Sequence, residues 1–170
     1  MISGDVMQTT KRIVWAAMGL FAIIACAPTG PTSVDTAADK AAIRSADKAH
    51  IDAFNAGDVN TIVAGYAEDA VVMPSDAPAV SGREAIRKMF AESMASAKAG
   101  GLTESLGDYT SVVSGNVGWS AGTSKETNAT GATVWAGKFA TWRKTDGKWL
   151  AVRDTWNSDG PAAPAAPASH

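Results

Sequence analysis

Two residues combine suitable chemistry with suitable placement for proton transfer or for holding a ligand oxygen, His50 and Asp154. A histidine titrates near neutrality and can donate or accept a proton, and a carboxylate facing it would complete an acid–base or orienting pair. At about 100° per residue, Ile43, Ala46, His50 and Phe54 fall within an arc of roughly 80°, so His50 points toward the buried side of a helix. Asp154 and Trp156 lie two apart in the run KWLAVRDTWN and share one face of a strand, expected to include Leu150 and Val152. For each residue two readings stay open. His50 is either a site residue or a satisfied half-buried histidine that shapes a pocket. Asp154 either faces His50 or pairs with an arginine or backbone groups at the sheet end, and a buried carboxylate needs some partner in either case.

Other chemistries find little support. Fifteen Lys and Arg against seventeen Asp and Glu give a net charge of −2, with no basic stripe for a nucleic-acid backbone. The second histidine is His170, no paired His or Cys spacing suggests a metal, and no Gly-rich loop joins a strand to a helix for a nucleotide. No serine sits in a nucleophile-elbow context. The expectation is a site without metal or cofactor.

The elements that must hold His50 and Asp154 follow from periodicity. A first helix is expected over residues 35–56, stopped by Gly57, and Asp58 caps a short second helix whose buried side is Ile62, Val63 and Tyr66. Residues 70–73 read as a brief strand, and Pro74 and Pro78 bracket a loop. Ser81 and Glu84 have the spacing of a capping box for a third helix with Ile86, Met89, Phe90, Met94 and Ala97 inward and Gly100-Gly101 at its end. From Leu102 the pattern alternates. Strands are expected over 102–113, 116–128, 132–144 and 148–158, broken by Ser114-Gly115, Thr130-Gly131 and Asp146-Gly147. This is an α+β architecture, three N-terminal helices packed on a curved, mainly antiparallel sheet that together enclose one pocket. Phe54, Tyr66, Met73, Phe90, Met94 and Trp156 are the large side chains expected to line it, which suits a small, largely apolar ligand.

Asn55-Ala-Gly-Asp58, Tyr66-Ala-Glu-Asp-Ala70, Gly82-Arg-Glu-Ala-Ile86 and KWLAVRDTWN resemble the nuclear transport factor 2-like superfamily, which includes ketosteroid isomerases and SnoaL-like polyketide cyclases. The resemblance runs from about residue 35 to 159 and implies a cone-shaped, cystatin-like fold. It also implies that His50 stands where the isomerases place the tyrosine that hydrogen-bonds the enolate, and that Asp154 could pair with it as in dehydratases and cyclases. The isomerase machinery itself is not matched. The loop after the first strand reads Met73-Pro-Ser-Asp76, with its aspartate displaced, and the sheet position of the second acid falls near Lys138. Because this fold hosts enzymes and binding modules alike, a non-catalytic module stays open beside a cofactor-free isomerase, cyclase or lyase.

The flanks carry a separate message. Lys11 and Arg12 precede the apolar run 13–25, too short for a comfortable membrane span and followed by the only cysteine, Cys26. Residues 1–25 therefore read as a lipoprotein signal peptide, with Cys26 as the acylated first residue of the mature chain and 26–34 as a tether. If the host has two membranes, Ala27 after the cysteine implies the outer one, facing the periplasm. Residues 160–170, rich in Pro and Ala, read as a disordered tail after a domain at 35–159. Trp119, Trp135, Trp142, Trp149 and Trp156 all fall on expected strands, so some must pack inward while others favour a homodimer through the sheet.

Overall fold

A computed structural model describes residues 36–75 and 77–158, without the side chains of residues 134 and 135. The signal peptide, the tether, Cys26, Asp76 and the tail lie outside the described residues.

Helix α1 (Thr36–Ala56) buries Ile43, Ile51 and Ala53, but also two carboxylates, Asp39 and Asp47. Gly57 follows at φ 77°, a left-handed turn that glycine makes without strain. Asp58 caps α2 (Val59–Ala64), its side chain accepting from Asn60 N and Thr61 N at 3.1 Å each. Tyr66 does not continue this helix. It opens β1 (Tyr66–Met73), four residues earlier than the alternation alone suggests, because Gly65 ends α2 and its carbonyl accepts from Ala151 N at 2.9 Å. Strand β2 (Val80–Ser81) pairs with β1 at Val71↔Ser81, so Ser81 belongs to the sheet edge. The expected capping box is therefore absent: α3 (Arg83–Ala99) starts after Gly82, which makes no side-chain cap. Ile86, Phe90 and Met94 form its buried stripe.

Four long strands complete the sheet: β3 (Thr103–Ser114), β4 (Val117–Thr127), β5 (Thr133–Thr145) and β6 (Lys148–Ser158). The order is β2-β1-β6-β5-β4-β3, antiparallel except for the parallel pairing of β1 with β6. The sheet curves beneath the helices.

Register fixes what faces inward. Tyr109, Gly122, Lys138 and Trp156 form one row across β3 to β6, and Ser111, Ser120, Ala140, Asp154 and Val72 form the next, across β3 to β6 and on to β1. Gly122 has no room for a side chain, since a Cβ there would lie 2.2 Å from the Asp108 carbonyl oxygen. Leu150 and Val152 were expected on the face of Asp154, and they are not there. The β5–β6 register slips between Thr141 and Trp142, which pair with Arg153 and Ala151, leaving Val152 as the extra residue of a bulge. The bulge inverts the alternation, so Trp149 and Ala151 share the inner face with Asp154. The core between sheet and helices is built on Ile43, Ile62, Tyr66, Val72 and Ile86.

Candidate functional site

Beneath α1 lies a cavity of about 240 Å³, whose wall includes His50 and Asp47 from α1, Tyr66 from β1, Lys138 and Trp142 from β5, and Asp154 from β6. His50 is brought there by the arc it shares with Ile43. Asp47 sits three residues earlier, one helical turn along the same face.

Asp154 is buried, 3% exposed, and its Oδ2 accepts the Tyr66 hydroxyl at 2.5 Å. Its Oδ1 is the one buried side-chain oxygen or nitrogen among the described residues without a hydrogen-bond partner. Asp47 is differently served. Its Oδ2 accepts from Tyr109 Oη at 2.8 Å and Ser120 Oγ at 3.1 Å, and Lys138 Nζ lies 3.5 Å from its Oδ1. Trp142 Nε1 donates to Ser120 Oγ at 2.8 Å, which anchors that hydroxyl. His50 meets Phe90 and Tyr66 edge-on, with ring centroids 5.1 and 6.0 Å away.

The electrostatics follow from this enclosure. Burial holds the His50 imidazole well below its ordinary pKa, and the Lys138 ammonium adds to that, so His50 is neutral. Burial raises the Asp154 carboxyl above the usual carboxylate range despite Lys138 and the Tyr66 hydrogen bond, which favour ionisation. Burial disfavours the Lys138 ammonium, but Asp154, Asp47 and Glu104 outweigh it and leave its pKa raised. Burial and the Asp154 carboxylate push the Tyr66 phenol well up, so it acts as a hydrogen-bond donor. The cavity thus offers a neutral imidazole, a phenol, an ammonium and a carboxyl whose proton affinity is enhanced, groups suited to general acid–base work. Among the described residues, no group of His, Cys, Asp and Glu is arranged to hold a metal ion.

Of the residues expected from the sequence, His50, Tyr66 and Asp154 line this cavity together. Phe90 packs behind His50 and Tyr66, with Trp156 next to it at a centroid distance of 6.5 Å. Phe54 and Met94 instead line a separate, open cleft of about 670 Å³ with Leu102 and Thr103. Met73 is 37% exposed at the strand end and does not line the cavity. Lys138 and Asp47 were not among the expected site residues. The signal for Lys138 was present, since it alternates with Ala136, Ala140 and Trp142, but a lysine two residues from buried positions reads as a break in the pattern.

The fold defines the class, a nuclear transport factor 2-like domain of the cystatin-like α+β type. Within that class the chain belongs to the SnoaL-like domain family, which matches residues 48–152. Its structure is similar to an NTF2-like protein of unknown function from Pseudomonas putida KT2440 (TM-score 0.66, 18% identity, covering 71% of this chain and 87% of that one). It is also similar to a ketosteroid isomerase-like protein from Erwinia carotovora atroseptica SCRI1043 (TM-score 0.58, 23% identity, 72% and 98% covered). A third similar structure is an NTF2-like family protein from Streptomyces avermitilis proposed to be a dehydratase (TM-score 0.63, 17% identity, 74% and 99% covered). No curated protein matches the chain.

Proposed function

We propose that this SnoaL-like domain, anchored to the cell envelope through Cys26, takes a small, largely apolar molecule into the cavity beneath α1. There it acts on the molecule by cofactor-free acid–base chemistry of the isomerase, cyclase or dehydratase type. The observation that supports the reading is that His50 and Asp154, from the first helix and the last strand, line one cavity. Asp154 holds a proton more tightly than a solvated carboxylate, and neutral His50 can accept or donate a hydrogen bond beside it. A cavity of about 150 Å³ can take a benzene ring, so this cavity of about 240 Å³ suits a ligand of about one ring, smaller than a steroid.

His50→Phe tests this directly. Loss of binding or turnover in a small-molecule screen, with the melting temperature nearly unchanged, is the expected result. A shift in stability of about 1–3 kcal/mol with ligand binding intact would make His50 structural.

The anchoring rests on Lys11, Arg12, the apolar run 13–25 and Cys26. Detergent-phase partition and mass spectrometry should find an acylated terminus that Cys26→Ser abolishes. A soluble wild-type product with a free thiol would refute it.

A second reading, a non-catalytic envelope module for a protein or a cell-wall fragment, is favoured by one feature. Val112, Val117, Trp119 and Phe139 are exposed on the outer sheet face, and the Trp119 and Phe139 rings stack at 6.2 Å. The same face suits a homodimer.

A further inference from the structure

The charges around the cavity do not balance. Lys138 is the buried cation, and its nearest carboxylate, Asp47, is already satisfied by three donors on β3, β4 and β5. Asp154 accepts the Tyr66 phenol on Oδ2 and is also served by the Thr155 backbone N–H, while its buried Oδ1 has no partner at ordinary hydrogen-bond geometry. Glu104 on β3 adds a third partly buried carboxyl to the same field. The wall thus sets two carboxyl groups, Asp47 and Asp154, against one ammonium, Lys138, with Glu104 as a third carboxyl nearby. An unpaired carboxylate in such a place is costly, and the cost falls when a cation or a strong donor reaches it. The rest of the wall agrees. Tyr66 and Trp142 contribute aromatic rings and His50 a neutral imidazole, surfaces that attract a cation rather than an anion.

We infer that the ligand of this cavity is a small organic ammonium, an apolar body of about one ring whose protonated nitrogen is held by Asp154. The inference rests on the cavity being the ligand site and specifies the class of molecule it takes. Asp154 is the specificity-determining residue. Lys138 lies 3.5 Å from Asp47 and also acts on Asp154, so one ammonium is shared between two carboxyls and a second cation has room to act at Asp154. Ligand ionic pairing and ionisation of Asp154 are then linked, so ammonium binding should strengthen as pH rises through the range in which Asp154 loses its proton. Asp47 and His50 from α1, Tyr66 from β1 and Lys138 from β5 face the same space as Asp154, and Glu104 from β3, which lines a neighbouring cleft, acts on them only through its charge. Of these, Lys138 and Tyr66 have raised pKa values and keep their protons, while burial and Lys138 lower the His50 pKa and so disfavour a competing positive charge there.

Calorimetric titration of the full chain with benzylamine, benzyl alcohol and benzoate, three one-ring probes of similar size, tests the assignment. Benzylamine should bind at least tenfold more tightly than the alcohol, and benzoate should bind least. Asp154→Asn, checked for an intact melting transition, should erase the preference for the amine while keeping the alcohol. An Asp154→Asn variant that does not fold is replaced by the pH series on the wild type, in which amine affinity should rise with pH while alcohol affinity stays level. If the alcohol or benzoate binds as tightly as the amine, the ammonium assignment falls and the cavity stands as a ligand site. If none of the three binds, the cavity reading falls and takes the assignment with it.

Discussion

Tyr66, the first residue of β1, donates its hydroxyl to Asp154 near the end of β6, at 2.5 Å and across 88 positions of the chain. Replacing it with phenylalanine keeps the ring packed against Phe90 and removes the side-chain hydrogen bond to a buried carboxyl. Tyr66→Phe should therefore cost about 1–3 kcal/mol at neutral pH. It should also raise the Asp154 pKa further. The deficit relative to wild type should shrink as pH falls, once Asp154 is protonated in both folded and unfolded chains. Denaturant melts at several pH values would check this, and a deficit independent of pH would speak against Asp154 as its cause.

His50 gives a second pH effect with its own sign. Its folded pKa is depressed below the ordinary 6.5, so between those two values the unfolded chain binds a proton that the folded chain does not. Stability should thus fall as pH drops below about 6.5 and level off below the folded value. His50→Phe should flatten that part of the profile. An unchanged acid slope would show that His50 remains protonatable when folded.

Lys138 is held by Asp47 at 3.5 Å, with its own side chain only 12% exposed. Removing one partner of such a buried set leaves uncompensated charge, so Lys138→Met should cost about 3–5 kcal/mol. The sign for the lysine itself is the reverse of that for His50. Its folded pKa is raised above 10.5, so its contribution is fully present through neutral pH and is lost only as pH rises through the folded value. Adding Asp154→Asn to Lys138→Met should recover part of the loss by removing the charge left behind. A double variant no more stable than the single one would mean that packing, not charge, sets the cost.

The outer sheet face offers a prediction about assembly. If Val112, Val117, Trp119 and Phe139 meet a second copy, the wild type should sediment as a dimer at tens of micromolar and Trp119→Glu as a monomer with an unchanged melting curve. A monomeric wild type would leave the patch to another partner.

Much of the scaffold was readable because it depends on local chemistry. Gly57 ends α1, Asp58 caps α2, and Gly115 and Gly147 turn the chain at positive φ, each a signal carried within a few residues. What the sequence concealed depends on distant partners. Asp47 looks like a solvated helix residue until Tyr109 and Ser120, 62 and 73 positions away, close over it. Ser81 keeps the spacing of a capping box but is taken by β1. The bulge at Val152 is decided by the register of β5, and through it two neighbours exchange faces: Trp149 turns into the core, where Asp39 accepts its indole N–H at 2.9 Å, while Leu150 moves away from the site. His50 and Asp154 could be nominated from their own elements. Lys138 could not be ranked beside them, because only the assembled sheet places it among three carboxyls.

The parallel pairing of β1 with β6 also has a consequence in time. Every other neighbouring pair in the sheet joins strands adjacent in sequence, whereas β1 must wait for the last strand before its inner edge is matched. Closing so long a loop is slow, and its entropy must be met before the contacts it permits can form. The helices and the β3–β5 meander can therefore organise first, with Tyr66 and the unpaired edge of β1 still open. The cavity is closed by the final strand to dock, so a chain arrested before β6 would hold most of its secondary structure but lack Asp154 and the wall that completes its site.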